Sequence, residues 1–285
     1  MFSSAAGYGH HVELSGIDLL LVTDPEYPAE GRRYGEEDRW LAAELAGRGP
    51  RVRTARPHDL LDVLGDADLV LVRNSGPVAG YAATWQAFRE EARQRGLRVY
   101  NELCGRGDAQ GKGHLVELYA AGFPVIPTLT GAGPLDRLPP ASAYVVKPLD
   151  GADSHGLQVV SADDLGEADL TGTVVQPRLD LTAEVSFHFV DDRLSHVLET
   201  RRPAGRWDLQ RIRPTAAEEV FARRFLEWND VRHGIQRVDA CRTSDGQLLL
   251  VELEDLNPWL GLELLDEPGR ARFVDLLVSA LLRVP

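Results

Sequence analysis

Tyr144-Val145-Val146-Lys147-Pro148-Leu149-Asp150-Gly151-Ala152-Asp153-Ser154-His155-Gly156, running on into residues 157–160, is the stretch from which the fold reads outward. Two β-branched runs flank a loop of Gly, Asp, Ser and His, the pattern of strand, pliable turn and strand. Lys147 stands at the end of the first strand. Small residues let a loop backbone come close enough to a phosphate for its N–H groups to cradle the anion. An ordinary hairpin with one surface lysine has the same local pattern. The lysine count separates the two readings: of 31 basic residues only Lys112 and Lys147 are lysines, and the other 29 are arginines. Lysine is a compact, mobile point charge where arginine is a wide planar fork, and a nucleotide phosphate pocket is a place where that difference matters.

The chain has 285 residues, 44% of them hydrophobic, enough for a large core and two or three subdomains. Its net charge of −13 argues against nonspecific binding to nucleic acid or to an anionic membrane, and leaves room for a local basic pocket. Cys104 and Cys241 lie far apart and suit a reducing, cytoplasmic setting; they suggest neither a disulfide framework nor a zinc site. No apolar run approaches the length of a membrane helix. Residues 1–16 lack the basic and apolar regions of a signal peptide and read as a loose leader.

Strands are expected at 17–23, 51–54, 68–73 and 97–100, with helices at 36–47 and 77–96 between them. This alternation predicts a small parallel sheet covered by helices, a domain over 17–104. The strand ends Thr23-Asp24 and Arg73-Asn74-Ser75 then form either a ligand crevice or simple turn caps. A helix is expected at 108–122. Its Gly107–Lys112 start superficially suggests a phosphate-binding P-loop but has Gly113 where Ser or Thr is required. Residues 131–140 read as a Pro/Gly linker. A strand at 173–179 and an antiparallel pair at 184–190 and 193–200 follow. An arginine-rich loop then covers 201–214, with a helix at 216–229. Residues 234–242 and 247–254 form a hairpin about Ser244-Asp245-Gly246, and a last helix runs over 266–282.

Four segments in order resemble the ATP-grasp superfamily, in particular its glutathione-synthetase-like and D-alanine–D-alanine-ligase-like members. The run Asp108…Lys112…Ala121-Gly122-Phe123-Pro124-Val125…Pro127-Thr128 is similar to the family's first lysine helix. Val145-Val146-Lys147-Pro148 with Gly151…Gly156 is similar to its second lysine and phosphate loop. Val174-Val175-Gln176-Pro177-Arg178-Leu179 followed by Glu184 resembles the adenine hinge and the ribose carboxylate. Arg237-Val238-Asp239 with Val251-Glu252-Leu253-Glu254-Asp255-Leu256-Asn257-Pro258 resembles the catalytic arginine and the metal-binding strand pair. The resemblance covers roughly residues 100–262. It implies an α/β fold: an N-terminal parallel domain, then ATP-grasp subdomains over 105–178 and 179–285.

The resemblance implies an ATP-dependent ligase that joins a carboxylate to an amine through an acyl-phosphate. Intramolecular ring closure and a non-catalytic nucleotide-binding assembly factor are the alternatives. It assigns Lys112, Lys147, Gly151, Ser154 and His155 to the phosphates, with His155 either meeting phosphate or capping its turn. Gln176, Arg178 and Leu179 would hold adenine, and Glu184 the ribose. Pro177 has no N–H to give, which makes Leu179 the better hinge donor. Asp239, Glu252, Glu254 and Asn257 are the metal candidates, for Mg²⁺ with Mn²⁺ as an alternative. The family usually ends in Glu-x-Asn. Here Glu254 takes the Asn place and Asp255-Leu256-Asn257 offers a second register, so which of Glu254, Asp255 and Asn257 binds metal stays open. Arg237, and Arg202 on the arginine-rich loop, are the expected catalytic residues, the loop suiting a substrate carboxylate. Expected partners are small carboxylate and amine substrates, no nucleic acid, no membrane, and a second copy of the chain in a homodimer.

The residues support the assignment independently. Glu252 and Glu254 are two apart on one strand and so share a face. Carboxylates converging there with Asp239 repel unless a cation joins them, and Mg²⁺ prefers oxygen ligands that bridge to phosphate. An enclosed polar pocket beside these carboxylates, with Trp259 turned inward, favours an enzyme; an exposed apolar patch there favours a docking surface.

Overall fold

The structure is a computed structural model that describes residues 14–27, 34–73, 76–151, 155–201 and 208–285. Ser154 and Arg202 fall outside the described residues, as does most of the leader.

The first sheet is parallel. Its strands β1 (Asp18–Val22), β2 (Arg51–Ala55), β3 (Leu69–Val72) and β4 (Arg98–Tyr100) lie in the order β2-β1-β3-β4. Residues 19–22 of β1 and the whole of β3 are Leu/Val runs because helices cover both faces. Leu19 and Leu21 pack towards α1 (Tyr34–Ala46) and the C-terminal α6 (Glu267–Leu281), while Leu20 and Val22 pack towards α2 (Leu60–Leu64) and α3 (Ala82–Arg95). Leu14, inside the expected leader, is buried in the first of these cores, and its N–H donates to Arg48 O at 3.0 Å. The α6 helix therefore closes back onto the N-terminal sheet, and the domains expected from the sequence interlock through it.

The second sheet is antiparallel, in the order β5-β8-β6-β7: β5 (Leu129–Thr130), β6 (Ala143–Pro148), β7 (Gln158–Ser161) and β8 (Thr173–Pro177). The Lys147 strand is β6, paired with β7 from Ala143↔Ser161 to Val146↔Gln158. The third sheet, β11-β10-β9-β12-β13, is also antiparallel: β9 (Leu181–Val190), β10 (Arg193–Arg201), β11 (Leu209–Ile212), β12 (Ile235–Thr243) and β13 (Leu248–Glu254). The helices α4 (Gly113–Ala120) and α5 (Ala216–Asn229) pack Leu115, Leu118, Ala222 and Phe225 onto it. A capping box starts α5: Thr215 Oγ1 accepts from Glu218 N, and the Glu218 carboxylate accepts from Thr215 N at 2.7 Å. This is the α/β class expected, a parallel domain followed by two antiparallel layers with helices.

Three expectations need correction. The helix at 108–122 is a single 3-10 turn, Asp108–Gln110, and then α4. Gly111 breaks it at φ +76°, and Lys112 N–H donates to Leu149 O at 2.7 Å instead of continuing the helix. The helix at 77–96 likewise opens with a 3-10 turn, Val78–Tyr81. Part of the arginine-rich loop is the edge strand β11, with Ile212 opposite Val197 and Leu209 opposite Thr200. Its half-buried Leu209 and Ile212 enclose the exposed Gln210 and Arg211, so the strand carries no period-two signal in the sequence.

Candidate active site

The β12–β13 hairpin, turning at Gly246 with φ +85°, carries the acidic residues. Its register sets Arg237 opposite Glu254 and Asp239 opposite Glu252, so all four side chains share one face. A bulge after Asp239 shifts the pairing to Ala240↔Leu250 and ends this polar patch. Carboxylate oxygens of Asp239, Glu252 and Glu254 lie within 4.8 Å of one another.

Cations of the protein are threaded through this cluster. Arg237 Nη2 donates to Asp239 Oδ2 at 2.8 Å and to Glu254 Oε1 at 2.5 Å. Ser186 Oγ, from β9, donates to Asp239 Oδ1 at 2.7 Å. Lys112, at the start of α4, reaches Glu252 Oε1 at 3.2 Å and donates to Gly151 O. Burial pushes the Glu252 carboxyl up, but Lys112 and Lys147 overcome it and hold the group at about 2. Burial pulls the Lys147 ammonium below its usual range, against the attraction of Glu252. An all-carboxylate set of this spacing fits Mg²⁺, a hard cation that takes oxygen ligands.

Two cavities meet here. The larger, about 650 Å³, runs between the second and third sheets. Lys147, His155, Gln176, Arg178, Leu179 and Glu184 line it, together with Arg237, Asp239 and Trp259. At its inner end Gln176 Nε2 donates to Thr128 Oγ1 at 2.8 Å. Arg178 N–H donates to Ala143 O at 2.9 Å, which leaves Leu179 as the next hinge residue to offer an N–H. His155 is exposed on the wall. The smaller cavity, about 460 Å³, lies against the N-terminal domain and is lined by Tyr34, residues 76–79, Ala82, residues 108–112, Asp150, Glu254 and Asn257. Lys112, Gly151 and Glu252 border both.

The structure thus brings Lys112, Lys147, Gly151, Asp239, Glu252 and Arg237 to one junction, with Gln176 to Glu184 along one arm. Asn257 stands in the loop after β13 and faces the smaller cavity together with Glu252 and Glu254. Trp259 is buried and turned inward.

That loop is gripped from several layers. Asp108 Oδ1 accepts from Asp255 N at 2.7 Å and Leu256 N at 2.9 Å, and Asp255 Oδ2 accepts from Gly107 N at 2.7 Å. A Cβ on Gly107 would stand 2.5 Å from Leu253 O, so only glycine permits this approach. Arg73 Nη1 donates to Pro258 O at 2.5 Å, and the Glu37 carboxylate accepts from Leu260 N at 2.9 Å and Leu262 N at 3.0 Å. Arg73 also pairs with Glu37 and Asp38 at 3.1 and 3.0 Å, all three side chains being 1% exposed. Thr23 Oγ1 donates to Asp38. The strand ends at Thr23 and Arg73 are therefore a structural brace; Asn74 and Ser75 lie outside the described residues, and the lining of the smaller cavity begins at Gly76.

Beneath the loop, Arg237 Nη1 and His188 Nε2 approach Trp259 O at 2.8 and 3.2 Å, and His196 Nε2 approaches Leu260 O at 2.8 Å. The two imidazoles stack with centroids 4.1 Å apart. Burial lowers both pKa values, that of His196 to about 4, and for His188 the neighbouring His196 and Arg237 add to the effect. Sequence reasoning missed Ser186, His188 and His196. For the first two the signal was Glu184-Val185-Ser186-Phe187-His188, a polar residue at every second position of β9 on the face that meets Arg237 and Asp239, while His196 comes beside His188 only through the pairing of β10 with β9.

No family model and no curated protein matches the sequence. Solved structures do match over nearly the whole chain. The structure of D-cycloserine synthetase DcsG is 22% identical with a TM-score of 0.71, over 92% of this chain and 99% of that one. A D-alanine–D-alanine ligase from Bacillus anthracis complexed with ATP is 16% identical with a TM-score of 0.64, over 94% and 98%. The ATP-grasp ligase PsnB complexed with a minimal precursor is 17% identical with a TM-score of 0.61, over 93% and 98%.

Proposed function

We propose, from the premise that this chain has the ATP-grasp fold, that it is an ATP-dependent carboxylate–amine ligase acting on a small amino-acid-like substrate. The observation that carries this reading is the meeting of the two cavities at Lys112, Gly151 and Glu252. The larger has the size and polarity gradient of a nucleotide site: a backbone hinge at one end, cations and carboxylates at the other.

In this reading Leu179 N–H and Gln176 frame adenine, Glu184 accepts from the ribose hydroxyls, and Lys112 and Lys147 hold the phosphates. Asp239, Glu252 and Glu254 would hold Mg²⁺, which supplies charge neutralisation of the phosphates. Phosphate draws Lys112 from Glu252 and Arg237 from Asp239, freeing those carboxylates for the ion. A substrate carboxylate oxygen in the smaller cavity attacks the γ-phosphorus, the bond to the β-γ bridging oxygen breaks, and ADP leaves. An amine nitrogen then bonds to the acyl carbon and loses a proton, the carbon–oxygen bond to phosphate breaks, and phosphate leaves. Arg237, fixed by Trp259 O, stabilises the oxyanion and the transferring phosphoryl group.

The inward Trp259 and the charged side chains that line both cavities support an enzyme over a docking surface. Calorimetry with ATP and Mg²⁺ tests the reading. Binding by the native protein and its loss in Lys147→Ala is the result expected; no nucleotide binding at all overturns it.

A further inference from the structure

The glycine run before Lys112 has the look of a phosphate loop, yet the anion it holds belongs to the chain itself. Asp255, 2% exposed, presses its carboxylate against this run. Its Oδ2 accepts from Gly107 N at 2.7 Å and from Asn229 Nδ2 at 2.9 Å, and its Oδ1 accepts from Ala109 N at 3.1 Å. A Cβ on Gly105 would run into the same carboxylate. Backbone N–H groups turned to one side make a concave anion site, and here a side chain fills it. Both oxygens of Asp255 are thus committed to N–H donors, while Glu252 and Glu254 face the cavities.

The grip is reciprocal. Asp108, inside the run, accepts at Oδ1 from the backbone N–H groups of Asp255 and Leu256. Each carboxylate satisfies donors of the segment that carries the other. Asn229 Oδ1 accepts from Arg106 N at 2.6 Å, and Asn229 Nδ2 also donates to Gln236 Oε1 at 2.8 Å, which anchors the clamp in α5 and β12. A further tie lies just past Lys112. His114, 3% exposed, has Nδ1 2.8 Å from Gly111 O. A carbonyl only accepts, so Nδ1 carries the proton and Nε2 is left to face Leu253 N at 3.4 Å. Both flanks of Lys112 are therefore tied to the end of β13, the strand that carries Glu252 and Glu254.

We propose that Asp255 is a positioning residue for the nucleotide site. By filling the amide nest of residues 107–109 it fixes the main chain of Lys112 against β13, and the lysine meets the phosphates without first ordering its loop. The proposal rests on the ligase reading above, in which Lys112 holds phosphate, and it gives residues 105–109 to this clamp instead of to the nucleotide.

A double-variant cycle on ATP affinity tests it, measured by calorimetry with Mg²⁺ at a temperature where unfolding curves show every protein folded. Asp255→Asn turns one accepting oxygen into a donor that faces backbone N–H groups. ATP affinity is expected to fall by about tenfold in the native background, equivalent to one hydrogen bond to a charged group. In the Lys112→Ala background the same change is expected to cost about twofold or less. Adenosine, which has no phosphate, is expected to bind Asp255→Asn as it binds the native protein. Should Asp255→Asn not fold, Asp108→Ala opens the clamp from its other side and carries the same cycle. Asp108→Asn keeps one oxygen for both N–H groups and is expected to restore the affinity lost in Asp108→Ala. The proposal is overturned if the clamp variant lowers stability and leaves ATP affinity unchanged, if the loss is as large in the Lys112→Ala background, or if adenosine binding falls with it. Failure of ATP to bind the native protein overturns the ligase reading as well.

Discussion

Lys112 Nζ lies 3.2 Å from Glu252 Oε1, and the pair stands on the wall shared by the two cavities. Each side chain is therefore available to a ligand on either side. In the proposed reaction this is where the γ-phosphate meets the substrate carboxylate, and the ion pair is what the incoming charges exchange.

Glu252→Gln keeps the shape of the side chain and removes its charge. Turnover of ATP is expected to fall by about two to three orders of magnitude, the usual effect of deleting one electrostatic element of a phosphoryl-transfer site. Lys112 retains Gly151 O as a partner, so the fold stays intact. Steady-state ADP release together with an unfolding curve checks both halves.

Glu254→Asn restores the residue more usual in the resembled family. It is expected to keep activity with a modest rise in the Mg²⁺ required, since Asp239 and Glu252 remain. Asn257→Ala is expected to leave the Mg²⁺ requirement unchanged, the carboxylates of Asp239, Glu252 and Glu254 supplying the ligands. A Mg²⁺ titration of both variants decides. A Mg²⁺ requirement moved by Asn257→Ala and untouched by Glu254→Asn would put the metal site in the second register.

Arg73 is buried between Glu37 and Asp38 and also binds Pro258 O. Arg73→Met leaves two buried carboxylates facing each other and is expected to destabilise the protein by about 3–5 kcal/mol. Adding Glu37→Gln and Asp38→Asn removes the stranded charges and should recover part of that loss. Denaturant unfolding of the single and triple variants measures it.

The stacked histidines make stability depend on pH. His196 has an ordinary value of 6.5 and is held near 4 in the folded chain by burial. The unfolded chain therefore takes up this proton first as pH falls. The stabilisation is complete above about 6.5 and is lost progressively towards about 4, by about 3 kcal/mol in all. Glu37, pushed by burial to about 7 despite Arg73, acts in the opposite sense between 4.5 and 7. The comparison with His196→Gln isolates the imidazole: unfolding free energies across that range should fall less steeply with acid in the variant.

Local pattern carried much of the architecture. The β-branched runs about Lys147 are β6 and β7, the Ser244-Asp245-Gly246 turn joins β12 to β13, and Thr215 and Glu218 cap α5 where the helix was expected. The period-two spacing of Glu252 and Glu254 placed them on one face with Asp239. What escaped was non-local. Arg73 reaches Glu37, 36 residues away, and Pro258, 185 residues away, and no short-range pattern encodes such a brace. Asp108 reads as the first turn of a helix until its partners Asp255 and Leu256, far along the chain, are known. Gly111 could have warned of the helix break, but its positive φ is set by the contact of Lys112 N–H with Leu149 O.

A crystal structure with a non-hydrolysable ATP analogue and Mn²⁺, located by its anomalous signal, tests the central claim most directly. The account predicts adenine against Leu179, the γ-phosphate on Lys112 and Lys147, and the ion among Asp239, Glu252 and Glu254. A nucleotide bound elsewhere, or phosphates that leave Lys112 paired with Glu252 and the carboxylates without the ion, would contradict it.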